Sequence, residues 1–324
     1  MRKVLIGKKK SQGNLKLKVI IFLKIQKYIR PNLIKEKSII KLRDEINKLS
    51  KKMSSKPINF TDIRDIQISR NKIPVRIYTP FSKKGLPIII YVHGGSWIGG
   101  NLDTHDNVCR KISMTSKAIV VSVDYSLAPE RPFPHGLNDV YTVIRWAYNN
   151  SNNINGRPDC IALVGDSSGG NLCAAASCMA REKGDKYIKC QVLIYPATNI
   201  FELNTGSWLE FGNGYILTEE NQNKFISLYI KDKKNRKCIY GSPLLESNFK
   251  KLPPTFIITG EFDPLRDDGE LYAHKLKESG VEVSLKRYKG VIHGFITMDQ
   301  MFSEADDAIK EISLYLKNQF SKDC

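Results

Sequence analysis

From about residue 60 the chain alternates short runs rich in β-branched residues with helix-length stretches. The runs are 88–92, 118–123, 160–164, 190–195, 255–259 and 281–287. They are apolar without a polar face, the pattern of strands covered on both sides. Stretches of helical character at 103–116, 138–149, 169–183 and 268–279 separate several of them, and 302–316 closes the chain as another. This alternation predicts an α/β fold, a mostly parallel central sheet flanked by helices. Two earlier runs, 66–69 and 75–79, with Asn71 near the turn, read as a hairpin. The 324 residues suffice for one large domain of this kind.

One connection is out of scale. About sixty residues separate Tyr195 from Thr255, far more than a helical crossover needs. They include Trp208, Phe211, Tyr215, Phe225 and Tyr229, with a helix expected over 218–230. That is too aromatic for a solvated loop. The segment at about 197–252 therefore reads as an insertion capping the C-terminal edge of the sheet, where α/β proteins bind ligands.

Residues 1–56 form a separate, basic segment. The first 60 residues hold eighteen Lys and Arg against three acids, or +15 of the chain's net +18. The remainder is close to neutral, so composition gives no support to nucleic-acid binding by the main domain. At 100° per residue, Lys16, Lys24, Lys27 and Arg30 share one side of a helix. Leu17, Ile21, Phe22, Ile25 and Ile29 share the other, with Lys18 intruding, and Pro31 ends the helix. A second helix is expected over 34–52. The pair reads first as a cover for an apolar surface of the main domain, contributing to the cap. The second reading is peripheral contact with a membrane surface. The longest apolar run here, 19–23, is too short to span a bilayer or to form the core of an export signal. Seven scattered cysteines without a CxxC pair fit reduced thiols and a cytoplasmic location.

The chemistry concentrates in three places. Gly165-Asp166-Ser167-Ser168-Gly169 directly follows the run 160–164 and directly precedes an Ala-rich helix. That is a G-x-S-x-G turn in the strand-turn-helix setting its mechanics require. Gly165 and Gly169 permit close backbone approach, and Ser167 is the candidate nucleophile. Framing on Ser168 would put Asp166 where the first glycine belongs. A serine hydroxyl needs a base, and His293, just after the run 281–287, is placed to reach it. His105, His135 and His274 read as surface or structural histidines. The base needs an acid to fix its tautomer. Asp263 follows the run 255–259 and emerges at the same sheet edge; Asp267 and Asp268 read instead as acids at the start of a helix. His93-Gly94-Gly95-Ser96-Trp97 follows the run 88–92. Its small residues let the N–H groups of Gly95 and Ser96, with that of Ser168, face a developing oxyanion, while His93 props the turn.

These blocks resemble the hormone-sensitive-lipase branch of the α/β-hydrolase fold, the family IV esterases. His93-Gly94-Gly95-Ser96-Trp97 is similar to H-G-G-G-W, and Asp124-Tyr125-Ser126-Leu127-Ala128-Pro129-Glu130 to D-Y-R-L-A-P-E. Gly165 to Gly170 is similar to G-D-S-A-G-G. Asp263-Pro264-Leu265-Arg266-Asp267 with His293-Gly294-Phe295 is similar to D-P-L-R-D with H-G-F. The order Ser167, Asp263, His293 is that of α/β hydrolases, not of chymotrypsin or subtilisin. Two positions depart from the pattern. Ser96 replaces the usual third glycine, which narrows the pocket but spares a backbone donor. Ser126 replaces the usual arginine, which removes a structural ion pair.

The resemblance implies a domain over 57–324 with a cap built from the N-terminal helices and the 197–252 insertion. It implies a carboxylesterase working through an acyl-enzyme, with no metal or organic cofactor and with a small-molecule ester as substrate. The aromatic cap favours uncharged esters of short to medium acyl chain. An amidase or deacetylase on the same triad is the nearer alternative, and a non-catalytic ligand receptor the more distant one. Pairing of two copies through an edge strand or helix stays open.

Overall fold

The computed structural model describes residues 15–29 and 39–322. The expected helix start at Ile34 lies outside them. Among the described residues eight strands form one sheet: β1 (Asp62–Ile68), β2 (Ile73–Thr79), β3 (Leu86–Val92), β4 (Ile119–Val123), β5 (Gly156–Asp166), β6 (Ile188–Ile194), β7 (Thr255–Phe262) and β8 (Val283–Ile292). Their spatial order is β1-β2-β4-β3-β5-β6-β7-β8. β1 and β2 form the expected hairpin, and β2 also pairs antiparallel with β4. All other pairings are parallel.

The absence of a polar face in the central strands has a direct structural cause. Along β3, Ile88 and Ile90 point into one core and Ile89 and Tyr91 into the other, and all four are fully buried. The first core is closed by α4 (His135–Asn149), α5 (Ser168–Glu182) and α8 (Arg266–Glu278), through Leu137, Ala174 and Leu276. The second is closed by α3 (Asp106–Ser116) and α9 (Glu304–Phe320), through Ile112, Ile309 and Ile312. Covering both faces of a parallel sheet this way leaves its C-terminal edge as the free rim where loops gather.

The long connection between β6 and β7 holds α6 (Gly206–Phe211), which has no clear periodicity in the sequence, and α7 (Glu219–Tyr229). Thr218 caps α7, its hydroxyl accepting from Asn221 N–H. The aromatic content is explained by burial: Trp208, Phe211 and Tyr229 are inside, and Tyr229 stacks on Trp97 at 4.8 Å between ring centroids.

Of the basic segment, α1 (Leu17–Ile29) and α2 (Ile39–Met53) are described. α2 buries Leu42 and Met53. Its Arg43 donates to Ile98 C=O at 2.6 Å and to Ala128 C=O at 2.9 Å, and forks onto Glu130 at 2.7 and 2.9 Å. α1 corrects the reading of its faces. It docks through Val19, Phe22 and Leu23. Leu17, Ile21 and Ile25 stay exposed, at 72%, 49% and 47%. Apolar residues lie on both the docked and the exposed sides of the helix, so periodicity could not select the docking face. No helix among the described residues is long and apolar enough to cross a membrane. None of the six described cysteines forms a disulfide.

Candidate active site

Four loops meet at the C-terminal rim of the sheet, one each after β3, β5, β7 and β8. The loop after β5 is the turn into α5. Ser167 stands there at φ 54°, ψ −119°, a left-handed backbone that a side-chain-bearing residue adopts only when its surroundings enforce it. Its N–H donates to Ile194 C=O at 2.8 Å, which fixes the turn against β6. The flanking glycines permit the packing. A Cβ on Gly165 would lie 2.5 Å from Gly169 C=O, and one on Gly169 would lie 2.0 Å from Val92 C=O. α5 therefore runs close under β3 and β5 and presents the Ser167 hydroxyl to the rim.

His293, the first residue after β8, places Nε2 3.0 Å from Ser167 Oγ. Asp263, the first residue after β7, places Oδ2 2.8 Å from His293 Nδ1. Asp263 is fully buried, and its Oδ1 accepts from Leu265 N–H at 2.8 Å. A carboxylate only accepts, so Nδ1 carries the proton and Nε2 is left to receive one from the serine. An imidazole held in this way can take the hydroxyl proton as the oxygen attacks an acyl carbon.

The loop after β3 brings Gly94, Gly95 and Ser96 alongside. Gly95 has φ 133° and Ser96 φ 54°. A Cβ on Gly95 would lie 2.1 Å from Gly99 C=O, so the position admits glycine alone. Among the described residues, the N–H groups of Gly95, Ser96 and Ser168 have no protein acceptor. Three unspent donors beside a serine suit an incoming negative oxygen. His93 props the turn from below. It is fully buried, stacked on Tyr125 at 4.4 Å, with Nδ1 2.9 Å from Gly94 C=O. Burial, aided by nearby His105, pushes its pKa down to about 4.

The remaining sequence candidates fall elsewhere. His135 and His274 are exposed and distant in role from the rim. Asp267 and Asp268 are more than acids at a helix start, because both are buried. Asp267 accepts from Ser207 N–H at 2.8 Å, so it caps α6 across the chain. Burial, then the neighbouring Asp267 charge, raises Asp268 well above the carboxylate range. Ser126 answers for its missing arginine by turning its N–H and hydroxyl onto Asp139. The residues that sequence reasoning missed are His105 and Asp166, which meet at 3.2 Å behind the rim. The available signal was a charged residue at the end of an otherwise apolar strand, which must find a partner when buried.

A cavity of about 260 Å³ opens onto Ser167 and His293. Its walls are mainly apolar, with Ile46, Leu49 and Met53 from α2 and Ile216, Leu217 and Phe225 from the insertion, and His105 and Asp166 also border it. Ser96 also lines it, its hydroxyl 3.5 Å from Gln222 of α7.

Comparison with known proteins agrees with this geometry. A family model described as the alpha/beta hydrolase fold matches residues 89–297. The chain is 39% identical to a carboxylesterase, NlhH, of Mycobacterium tuberculosis over 73% of this chain and 75% of that one. It is 34% identical to an arylesterase of Saccharolobus solfataricus over 84% of this chain and 90% of that one. The crystal structure of a hyperthermophilic esterase from the archaeon Pyrobaculum calidifontis superposes with a TM-score of 0.87, at 37% identity, over 94% of this chain and 98% of that one. The motif resemblance, the sheet topology and these relatives agree: the chain belongs to the α/β-hydrolase fold family, in its hormone-sensitive-lipase-like branch.

Proposed function

We propose that this protein is a serine carboxylesterase. Ser167 attacks the ester carbonyl while His293 takes its proton; Asp263 orients the imidazole and offsets its charge. The N–H groups of Gly95, Ser96 and Ser168 hold the oxyanion. His293 then protonates the departing alcohol, and water, activated by the same imidazole, releases the acid. The observation that carries this reading is the continuous contact from Asp263 through His293 to Ser167, at 2.8 and 3.0 Å, beside three unspent N–H donors. The carboxylesterase and arylesterase names of the relatives support an ester as the substrate. An intact serine, imidazole and carboxylate argue against a non-catalytic receptor.

The N-terminal segment, through α2, and the 197–252 insertion form the cap over the cavity, a reading supported by the α2 and insertion side chains that line it. The small apolar cavity favours uncharged esters of short to medium acyl chain. A fluorophosphonate probe should label Ser167 stoichiometrically, and Ser167→Ala should abolish both labelling and turnover while the fold is retained. Turnover of aryl esters should fall from butyrate to laurate. Faster turnover of laurate would refute the size assignment, and an unlabelled serine in folded protein would refute the mechanism. Matched ester and amide substrates separate esterase from amidase.

A second reading concerns partners. The exposed stripe Leu17, Ile21 and Ile25, beside the exposed Lys18 and Lys24, supports peripheral contact of α1 with an anionic membrane surface. Pairing of two copies has no such support. The β8 edge carries Lys286, Arg287 and Lys289, charges of the kind that blunt an edge strand.

A further inference from the structure

Asp166 precedes the nucleophile in the chain and takes no part in the triad. It is buried, yet it gathers donors from three other segments. Its Oδ1 accepts from Gly94 N–H at 2.9 Å and from Tyr91 OH at 3.0 Å, and lies 3.2 Å from His105 Nε2. Its Oδ2 accepts from Tyr195 OH at 3.4 Å. Burial pushes its pKa up, but the His105 charge and these hydrogen bonds outweigh that, and it lies below the ordinary carboxylate value.

His105 is held on both sides of its ring. Its Nδ1 lies 2.8 Å from Thr104 Oγ1. That hydroxyl also lies 2.8 Å from Asn101 C=O and accepts from Asn101 N–H at 3.0 Å, so it is itself fixed within the turn. Nε2 faces a carboxylate, which only accepts. Nε2 therefore donates to Asp166, and the imidazole is held between Thr104 and a buried carboxylate.

This pair touches the oxyanion loop at its root. A Cβ on Gly94 would lie 2.4 Å from Asp166 Oδ2, so the first glycine of the loop exists to admit that carboxylate. Beyond Gly94 the loop passes through three consecutive residues of positive φ, Gly95, Ser96 and Trp97. Such backbone persists only where its surroundings over-determine it. One anchor is Gly95 C=O, which accepts from Ile98 and Gly99 N–H at 3.1 and 2.9 Å. The other is Gly94 N–H on Asp166, one residue from Ser167.

We propose that Asp166 and His105 act as a positioning pair, locking the Gly94 peptide so that the Gly95 and Ser96 N–H groups keep a fixed distance from the Ser167 hydroxyl. This rests on Ser167 being the nucleophile. The donors act on charge that develops only in the transition state, so misplacing them lowers kcat and leaves KM almost unchanged.

The test uses the full chain and a soluble aryl butyrate. Asp166→Asn keeps the side-chain size and removes the charge. Its kcat should fall about 100-fold, the scale of one lost oxyanion donor, with KM within about twofold. His105→Gln should lose about tenfold in kcat, since one neutral donor remains for the carboxylate. The double variant should lose no more than Asp166→Asn alone, because the two act as a unit. A boronic acid that becomes tetrahedral on Ser167 should weaken in step with kcat, a readout that mere loosening of the fold would not reproduce. A kcat within about threefold of wild type in folded Asp166→Asn would overturn the proposal. So would a loss spread equally over kcat and KM. If Asp166→Asn fails to fold, His105→Gln decides by the same thresholds. Turnover surviving in Ser167→Ala is a different result, and it would remove the esterase mechanism itself.

Discussion

Ser96 departs from the H-G-G-G-W block that this loop resembles, and its backbone shows why a serine is tolerated there. At φ 54° a serine sits in the left-handed region at a modest cost, and among the described residues its N–H has no protein acceptor. Among the described residues the hydroxyl's hydrogen-bond partner is Gln222, at 3.5 Å. Ser96→Gly should therefore keep kcat for a short aryl ester within about threefold, because the donor is the backbone. A drop of thirtyfold or more in steady-state turnover would instead give the hydroxyl a part in the chemistry. The residues of this rim were legible in the sequence to the extent that they sit beside glycines in strand-turn-helix frames. Ser167, Asp263 and His293 each follow a strand directly, so strand ends alone bring them to one edge. His105 and Asp166 were not legible in the same way. They are 61 positions apart in the chain, and no local spacing announces that a buried carboxylate will choose that imidazole.

At the scale of elements, three carboxylates tie the N-terminal helices to the rest of the molecule. Glu130 takes the fork of Arg43 from α2, Glu304 takes Lys16 ahead of α1, and Asp299 takes Ser55 beyond α2 together with Lys111 of α3. Arg43 draws Glu130 below its ordinary pKa. Burial pushes Asp299 and Glu304 the other way, but Lys111 and Ser55 in one case and Lys16 in the other outweigh it, so both are lowered too. A carboxyl with a lowered folded pKa stabilises fully above its unfolded value and loses that contribution as pH falls through the folded one. The ordinary values here are 3.8 for Asp and 4.5 for Glu. Below about pH 4 the seam should loosen before the sheet does. Hydrogen exchange, corrected for intrinsic rates, should show α2 opening ahead of β3 and β5 on acidification. Simultaneous opening would mean these pairs do not govern the seam. At neutral pH, Arg43→Ala should cost about 1–2 kcal/mol in denaturant unfolding, since Glu130 is largely solvated while the two carbonyl contacts are not. None of these carboxylate ties could be read from the chain, because they join partners 87 to 288 positions apart. The helices themselves could be read from composition, except for the face by which α1 docks.

At the scale of the whole molecule, charge and exposed apolar surface coincide at one end of the chain. The +15 of the first 60 residues contrasts with a near-neutral remainder. The apolar stripe on α1 recurs every four residues at 17, 21 and 25, so it lies along one line of the helix, opposite the buried Val19 face. A lysine close to an anionic lipid surface contributes about 1 kcal/mol, and the attraction decays within a Debye length. Neither term suffices alone, but an apolar stripe inserted among several cations gives both. The protein should therefore pellet with phosphatidylcholine vesicles containing phosphatidylserine and not with phosphatidylcholine alone. The bound fraction should fall as salt rises from about 0.05 to 0.5 M. Ile21→Asp, which alters the exposed line and leaves Val19, Phe22 and Leu23 docked, should reduce binding by at least fivefold and leave turnover of a soluble ester unchanged. Equal pelleting with both vesicle types, or binding untouched by Ile21→Asp, would rule out a membrane role for this stripe. The +15 would then act through solubility and long-range steering of anionic partners rather than through docking.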